Sequence, residues 1–205
     1  MADEIYRLAL GMLWHPSDAE QAKIEILRQA EELELEFGDR DSRALLLGVA
    51  VRHLLERAPS DFERQGWTFD ALAEDLERGR DEPLPPKAFG DRSLALLEEV
   101  KIGCWQTMLL CIDRPHRVAY LLSTLDDLET HTAASVLELE TEEFLARAGR
   151  AERTIQGFME GHCGLVNRAH PCRCSRRLGR ALVTGRVDPD ELLFASLQSP
   201  SARAS

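Results

Sequence analysis

Apolar residues recur every three to four positions along most of the chain, which is the period of an amphipathic helix. Over residues 3–14 they are Ile5, Leu8, Ala9 and Met12. Pro16 breaks this first helix, and Ser17 or Asp18 is placed to cap the next. Ala22, Ile26, Leu27, Ala30 and Leu33 then form a stripe running to about Leu35. Glu31, Glu32, Glu34 and Glu36 make the end of that helix acidic, which opposes the helix dipole. Such a run either serves a partner or is a solvated face, the commoner case. After the turn FGDRD, Ser42 to Arg57 predicts a third helix with Leu46, Val49, Ala50, His53 and Leu54 on one side.

Residues 58–93 change character. Pro59, Gly66, Gly79, Pro83, Pro85, Pro86 and Gly90 punctuate a linker interrupted by a short helix over 68–78. Its Phe62, Trp67, Phe69, Leu72 and Leu76 predict that it packs against other residues. From Ser93 the helical period returns. Leu94, Leu97, Val100, Ile102 and Met108 mark a helix over 93–112, and Pro115 starts another that runs to about Leu125. A short helix over THTAASVLEL follows, with Thr130 or Thr132 as its cap. Thr141 is expected to cap TEEFLARAGRAERTIQGFMEGH, with Glu142 and Glu143 in its first turn. Helix, short helix, turn and longer helix is the rhythm of a helix-turn-helix. No alternating strand pattern and no repeat is found, and QSPSARAS reads as a disordered tail. The expected fold is all-α, with a helical domain over 1–58 and a linker over 59–92. A helix-turn-helix domain over 93–160 and a basic, Cys-rich extension over 161–205 complete it.

Charge sharpens this division. The chain of 205 residues has a formal charge of −11, which taken whole argues against a nucleic-acid partner. Residues 1–100 hold 12 basic and 23 acidic side chains, whereas the remainder holds 13 of each. Within 147–186, nine Arg stand against Glu152 and Glu160. An acidic front half suits docking on a basic protein surface, and the basic segment suits phosphate. No apolar run approaches the length of a membrane helix, and the acidic start lacks the basic region of a secretory signal, so an intracellular protein without a membrane partner is expected.

Five cysteines in such a chain do not suggest a disulfide framework. Cys104 and Cys111 are seven apart on one helix face and read as core packing. Cys163, Cys172 and Cys174 crowd together with His162 and His170. Thiolate and imidazole suit zinc, the candidate cofactor, with the three thiols and one His as ligands. The alternatives are reduced thiols used as small apolar residues, or a thiol sensor whose pKa is lowered by Arg168, Arg173, Arg176 and Arg177.

These segments, in this order, resemble the extracytoplasmic-function (ECF) sigma factors of bacterial RNA polymerase. ALGMLWHPSDAEQAKIEILRQAEEL resembles the family's second region, and SRALLLGVAVRHLLER resembles the helix that reads and opens the −10 element. The stretch from MLLCIDRPHRVAYLL to ERTIQGFM resembles the fourth region, which binds the −35 element. HCGLVNRAHPCRC resembles a Cys-rich extension found in one subset of the family.

The resemblance implies a sigma factor that is not itself an enzyme. Core RNA polymerase and promoter DNA would be its partners, an anti-sigma factor a further candidate, and the cytoplasmic nucleoid its location. Asp18, Glu20, Gln21, Glu25 and Arg28 would contact the polymerase. Thr141, Glu142, Arg147, Arg150 and Arg153 would meet the −35 DNA, and Arg43, Arg52 and His53 the −10 region. The chain departs from the family where Leu45 replaces a usual Trp, Leu47 an aromatic, Gly48 a basic residue and Arg52 an Asn. Ile24 stands where Gln is favoured, and Ala148, Gly149 and Glu152 where polar or basic residues are frequent. Base–aromatic stacking contributes about 1–3 kcal/mol per base, so the third-helix departures bear on strand opening. The alternative is therefore a degenerate sigma-like regulator that binds polymerase or another protein without melting promoters. A small zinc or thiol enzyme is the remote alternative: there is no HExxH and no phosphate-cradling glycine loop.

Overall fold

The computed structural model describes residues 1–33, 40–78 and 92–195. These residues are all-α, with no strand among them. The helices are α1 (Ala2–Leu13), α2 (Pro16–Glu32), α3 (Arg40–Glu56), α4 (Asp61–Arg64), α5 (Phe69–Arg78), α6 (Ser93–Leu110), α7 (Arg114–Ser123), α8 (Thr130–Val136), α9 (Thr141–His162) and α10 (Cys174–Val183). None of them is long and apolar enough to cross a membrane. The expected tail lies outside the described residues.

Local capping differs from expectation in three places. His15 caps α2: its Nδ1 accepts the Ser17 N–H at 3.2 Å, and Pro16 fills the first helical position. Ser17 and Asp18 therefore lie inside the helix. Glu129 precedes α8 without a side-chain bond, so neither Thr130 nor Thr132 caps it. Thr141 is the first residue of α9 and no cap. A capping box at Ser60 and Glu63 starts α4, which the sequence pattern did not single out.

The chain forms two compact units: one of 1–66 with 109–154, the other of 67–108 with 155–205. This division cuts across the segments 1–58, 59–92, 93–160 and 161–205. The reason lies in the first unit's core. Ile5, Leu8 and Met12 of α1, Ala22 and Ile26 of α2, and Leu46, Ala50 and Leu54 of α3 share one apolar cluster with Val118 and Leu122 of α7, Ala133 and Ala134 of α8, and Phe144 of α9. Helices α7, α8 and α9 thus complete the core of α1–α3. α1 and α7 approach closely at Gly11, where a Cβ would lie 2.7 Å from a Leu121 methyl and that side chain would have to shift. Arg117 of α7, 3% exposed, donates to the carbonyl oxygens of Met12 at 2.7 Å and Ile112 at 2.8 Å.

In the second unit, Leu96 of α6 packs with Leu178 and Ala181 of α10 and with Val187. Leu94, one of the apolar residues that mark α6 in the sequence, is 78% exposed. Polar groups tie this unit together. Asp75 of α5 accepts from Arg177 at 2.7 Å and from Arg186 at 2.8 Å. The Glu99 carboxylate, 2% exposed, accepts the backbone N–H groups of Leu193, Phe194 and Ala195 at 2.7–2.9 Å.

Candidate functional site

The α8–α9 corner closes as a Schellman turn. The Leu139 N–H donates to the Ala134 carbonyl at 3.0 Å, and Glu138 takes a left-handed φ of 55°. With Ala133, Ala134 and Phe144 buried, the corner is anchored from below and the outer side of α9 faces solvent. Thr141, Glu142, Arg150 and Arg153 are exposed there. Arg147 is half-buried and pairs with Glu143 one turn back. The Arg153 guanidinium folds over Gly149, where a Cβ would stand 3.1 Å from Nη1.

The three candidates on α3 separate. Arg43 is occupied internally: it pairs with Glu4 of α1 and donates to the carbonyls of Asp126 at 2.6 Å and Asp127 at 3.0 Å. It clamps α1 to the turn between α7 and α8. His53 lies between Glu25 and Gln29, 3.2 Å from each. Burial holds its pKa below the ordinary histidine value, with Arg57 acting in the same direction against the pull of Glu25. Arg52 alone of the three projects outward. It borders a groove of about 810 Å³ lined by Leu45, Gly48, Leu55, Val136 and Leu137. Among the described residues, those lining this groove are all non-aromatic.

On α2, Glu20, Gln21 and Arg28 are exposed, and with them Ile24 at 58%. Residues 20, 21, 24 and 28 share one helix face. Asp18 is half-buried, and Glu25 is drawn inward by Arg57 at 2.9 Å.

In the second unit, the extension forms a loop from the end of α9 to the start of α10. Cys163 follows α9, donating its N–H to the Met159 carbonyl at 2.8 Å. Gly164 meets the returning strand of the loop so closely that a Cβ would lie 2.0 Å from the Cys172 carbonyl oxygen. His162 stacks on Phe158 at 4.7 Å, and His170 Nδ1 accepts the Cys172 N–H at 3.3 Å. Of the four arginines named as thiol activators, Arg173 and Arg177 are drawn into structure, while Arg168 and Arg176 are exposed. Arg177 is buried on Asp75, and Arg173 holds the carbonyls of Arg168 and Cys172. Burial raises the pKa of Cys172 and of Cys174, and Arg177 and Arg173 pull that of Cys172 in the opposite direction.

Cys104, read as packing, belongs to the same unit as this loop. Burial pushes its thiol up to about 12, and Cys172, Cys174 and Cys163 act on it in the same direction. Cys111 belongs to the other unit and is also pushed up to about 12 by burial, against Arg117. All five cysteines are free thiols. Among the described residues, no three Cys, His, Asp or Glu side chains already converge as a metal-ligand group.

Two groups escaped the sequence reading. Asp75 and its arginines are about a hundred positions apart, and Glu99 finds its donors in backbone N–H groups, which leave no trace in residue identity. Compared with known proteins, the chain matches no protein-family model, no curated protein and no solved structure.

Proposed function

We propose that the chain is a sigma-like transcription factor that binds core RNA polymerase and promoter DNA in the cytoplasm, at the nucleoid. The observation that carries this reading is the α8–α9 corner. A short helix, a left-handed turn at Glu138 and a long helix leave Thr141, Glu142, Arg150 and Arg153 on an open face. Residues at the start of such a helix reach base edges, while arginines further along grip phosphate. The exposed α2 face of Glu20, Gln21, Ile24 and Arg28 fits a protein partner, with one apolar side chain ringed by charge. The test is co-purification with core polymerase followed by run-off transcription. Loss of polymerase binding at low salt removes the proposal.

A second reading is favoured by one observation. Among the described residues the groove beside α3 has no aromatic in its lining, and Arg43 is held by Glu4. Strand opening needs surfaces on which unstacked bases can rest. A regulator that binds polymerase without melting promoters therefore fits α3 better than a full initiator does. Polymerase binding without run-off transcripts selects this reading.

A further inference from the structure

We propose that the groove between α3 and the end of α8 is a docking site for a partner protein, which lays an amphipathic helix with basic flanks into it. This surface is separate from the α2 face offered to polymerase, and the proposal does not rest on that reading.

One stripe of α3 makes the groove. Leu45, Gly48, Val49, Arg52 and Leu55 recur at helical spacing along it. The half-buried Val136 and Leu137 line it from the end of α8, and Leu33 from the end of α2. Leu33, Leu45 and Leu55 are exposed by 61%, 56% and 37%. Single exposed leucines are ordinary, but three that line one groove of about 810 Å³ form the kind of patch that marks an interaction surface.

Gly48 points the same way. A glycine inside a helix is unfavourable, and nothing within this chain requires one here. Its φ is not left-handed, and a Cβ would meet no atom within 4 Å. The stripe is therefore lowest at its centre, where an incoming backbone can come close. From Leu45 to Leu55 the stripe runs about 15 Å along the axis, which matches about three turns of a docked helix.

The chemistry of the lining selects the occupant. A second hollow of about 540 Å³ between α2 and α3 shares Leu33, Val49, Arg52 and Glu56 with the groove. Among the described residues, the carboxylates of Glu25, Glu32, Glu56 and Glu138 line the two, against the guanidiniums of Arg52 and Arg57. Arg57 is drawn to Glu25 at 2.9 Å, and Arg52 comes no nearer than 3.9 Å to Glu138. This acidic excess repels phosphate, so nucleic acids and anionic lipids are disfavoured. A stacked base or a polyproline segment would need aromatic side chains that the described lining lacks. No strand among the described residues offers an edge to an extended peptide. A helix satisfies its own backbone, and asks only an apolar floor for its apolar face and carboxylates for its cations. A second copy of the chain does not supply such a helix. Its basic helices α9 and α10 already bury Phe144 and Leu178 in the chain's own cores.

Fluorescence anisotropy with the full chain tests the proposal. The probe is a labelled peptide of about 14 residues, with leucines on one helical face and lysines on both flanks. A peptide with glutamate in place of lysine is the comparison. The lysine peptide is expected to bind about tenfold tighter or more. Leu45→Asp combined with Leu55→Asp is expected to weaken its binding by about tenfold, and so is Gly48→Arg, which fills the centre and adds a cation. Leu165→Asp, an equally exposed leucine of the second unit, is expected to bind as the wild type does. Equal affinity for the two peptides, undiminished binding by the groove variants, or the same loss in Leu165→Asp would each overturn the proposal. So would a dimer that Leu45→Asp with Leu55→Asp dissociates, or single-stranded DNA that the same variant releases. Amide shifts of the labelled wild-type chain are expected to move at Leu45, Gly48 and Leu55 when the lysine peptide is added. Shifts confined to other surfaces overturn it even if the variants fail to fold.

Discussion

Arg117 Nη1 and Glu63 Oε1 meet 3.0 Å apart in the interior of the first unit. The same carboxylate takes the Arg114 guanidinium at 2.7 Å and closes the Ser60 capping box. One acidic side chain on a four-residue helix thereby secures the start of α7 and two ends of backbone. Burial alone would raise the Glu63 pKa, but the Arg114 hydrogen bond, the Ser60 N–H and the Arg117 charge bring it below the ordinary value.

Glu63→Gln is expected to destabilise the chain at neutral pH by on the order of 3 kcal/mol, because Arg117 is left buried without its counter-charge. The sign of the pH dependence follows from the depressed folded pKa. The stabilisation is complete above the unfolded glutamate value of about 4.3 and is lost as pH falls through the folded value. Urea denaturation of both proteins at neutral pH and at a pH below about 4 checks this. The gap between them should narrow in acid, and a constant gap would refute it.

Phe144→Ala tests the shared core. Phe144 is 1% exposed, and truncating such a side chain costs about 3–5 kcal/mol. Because it packs in one cluster with α1–α3 residues, amide exchange should accelerate in α1, α2 and α3 as well as in α9. Faster exchange confined to α8 and α9 would count against a common core.

Ile24→Glu combined with Arg28→Glu is expected to abolish co-purification with core polymerase and leave thermal stability nearly unchanged. Both positions are exposed, and exposed substitutions usually shift stability by less than about 0.5 kcal/mol. A pull-down with and without the double substitution measures it. Undiminished capture would remove α2 as the docking face.

Arg150→Ala and Arg153→Ala are expected to weaken binding to all DNA sequences alike. Each lost phosphate contact should flatten the slope of log affinity against log salt by about 0.9. Affinity measured across a salt series distinguishes this from a role in base reading, which would alter sequence preference and leave the slope intact.

The helices were legible because their apolar faces repeat at helical spacing, as Ile5, Leu8, Ala9 and Met12 do in α1. That pattern tells which face of a helix is covered but not by what. Nothing in the spacing of Val118, Leu122 or Phe144 announces that Leu8 and Leu46 lie in the same cluster. The candidate surfaces divided in the same way. Arg150 and Arg153 stand on the face that helical spacing predicts, whereas Arg43 was indistinguishable from a surface arginine until Glu4 of another helix met it. α10 was hidden for a different reason. Cysteines and arginines dominate its start, and they drew attention from the periodic Leu178, Ala181 and Leu182 behind them.

The shared core also governs what happens if the chain is divided. Its front segment carries Leu8, Ile26 and Leu46, and the later segment carries Val118, Leu122 and Phe144, all of them buried against one another. A cut between the two would leave each fragment with half of an interior turned to water. Neither half should then be soluble alone, and the two should complement each other when co-expressed. A partner that drew them apart would have to cover those same side chains with its own.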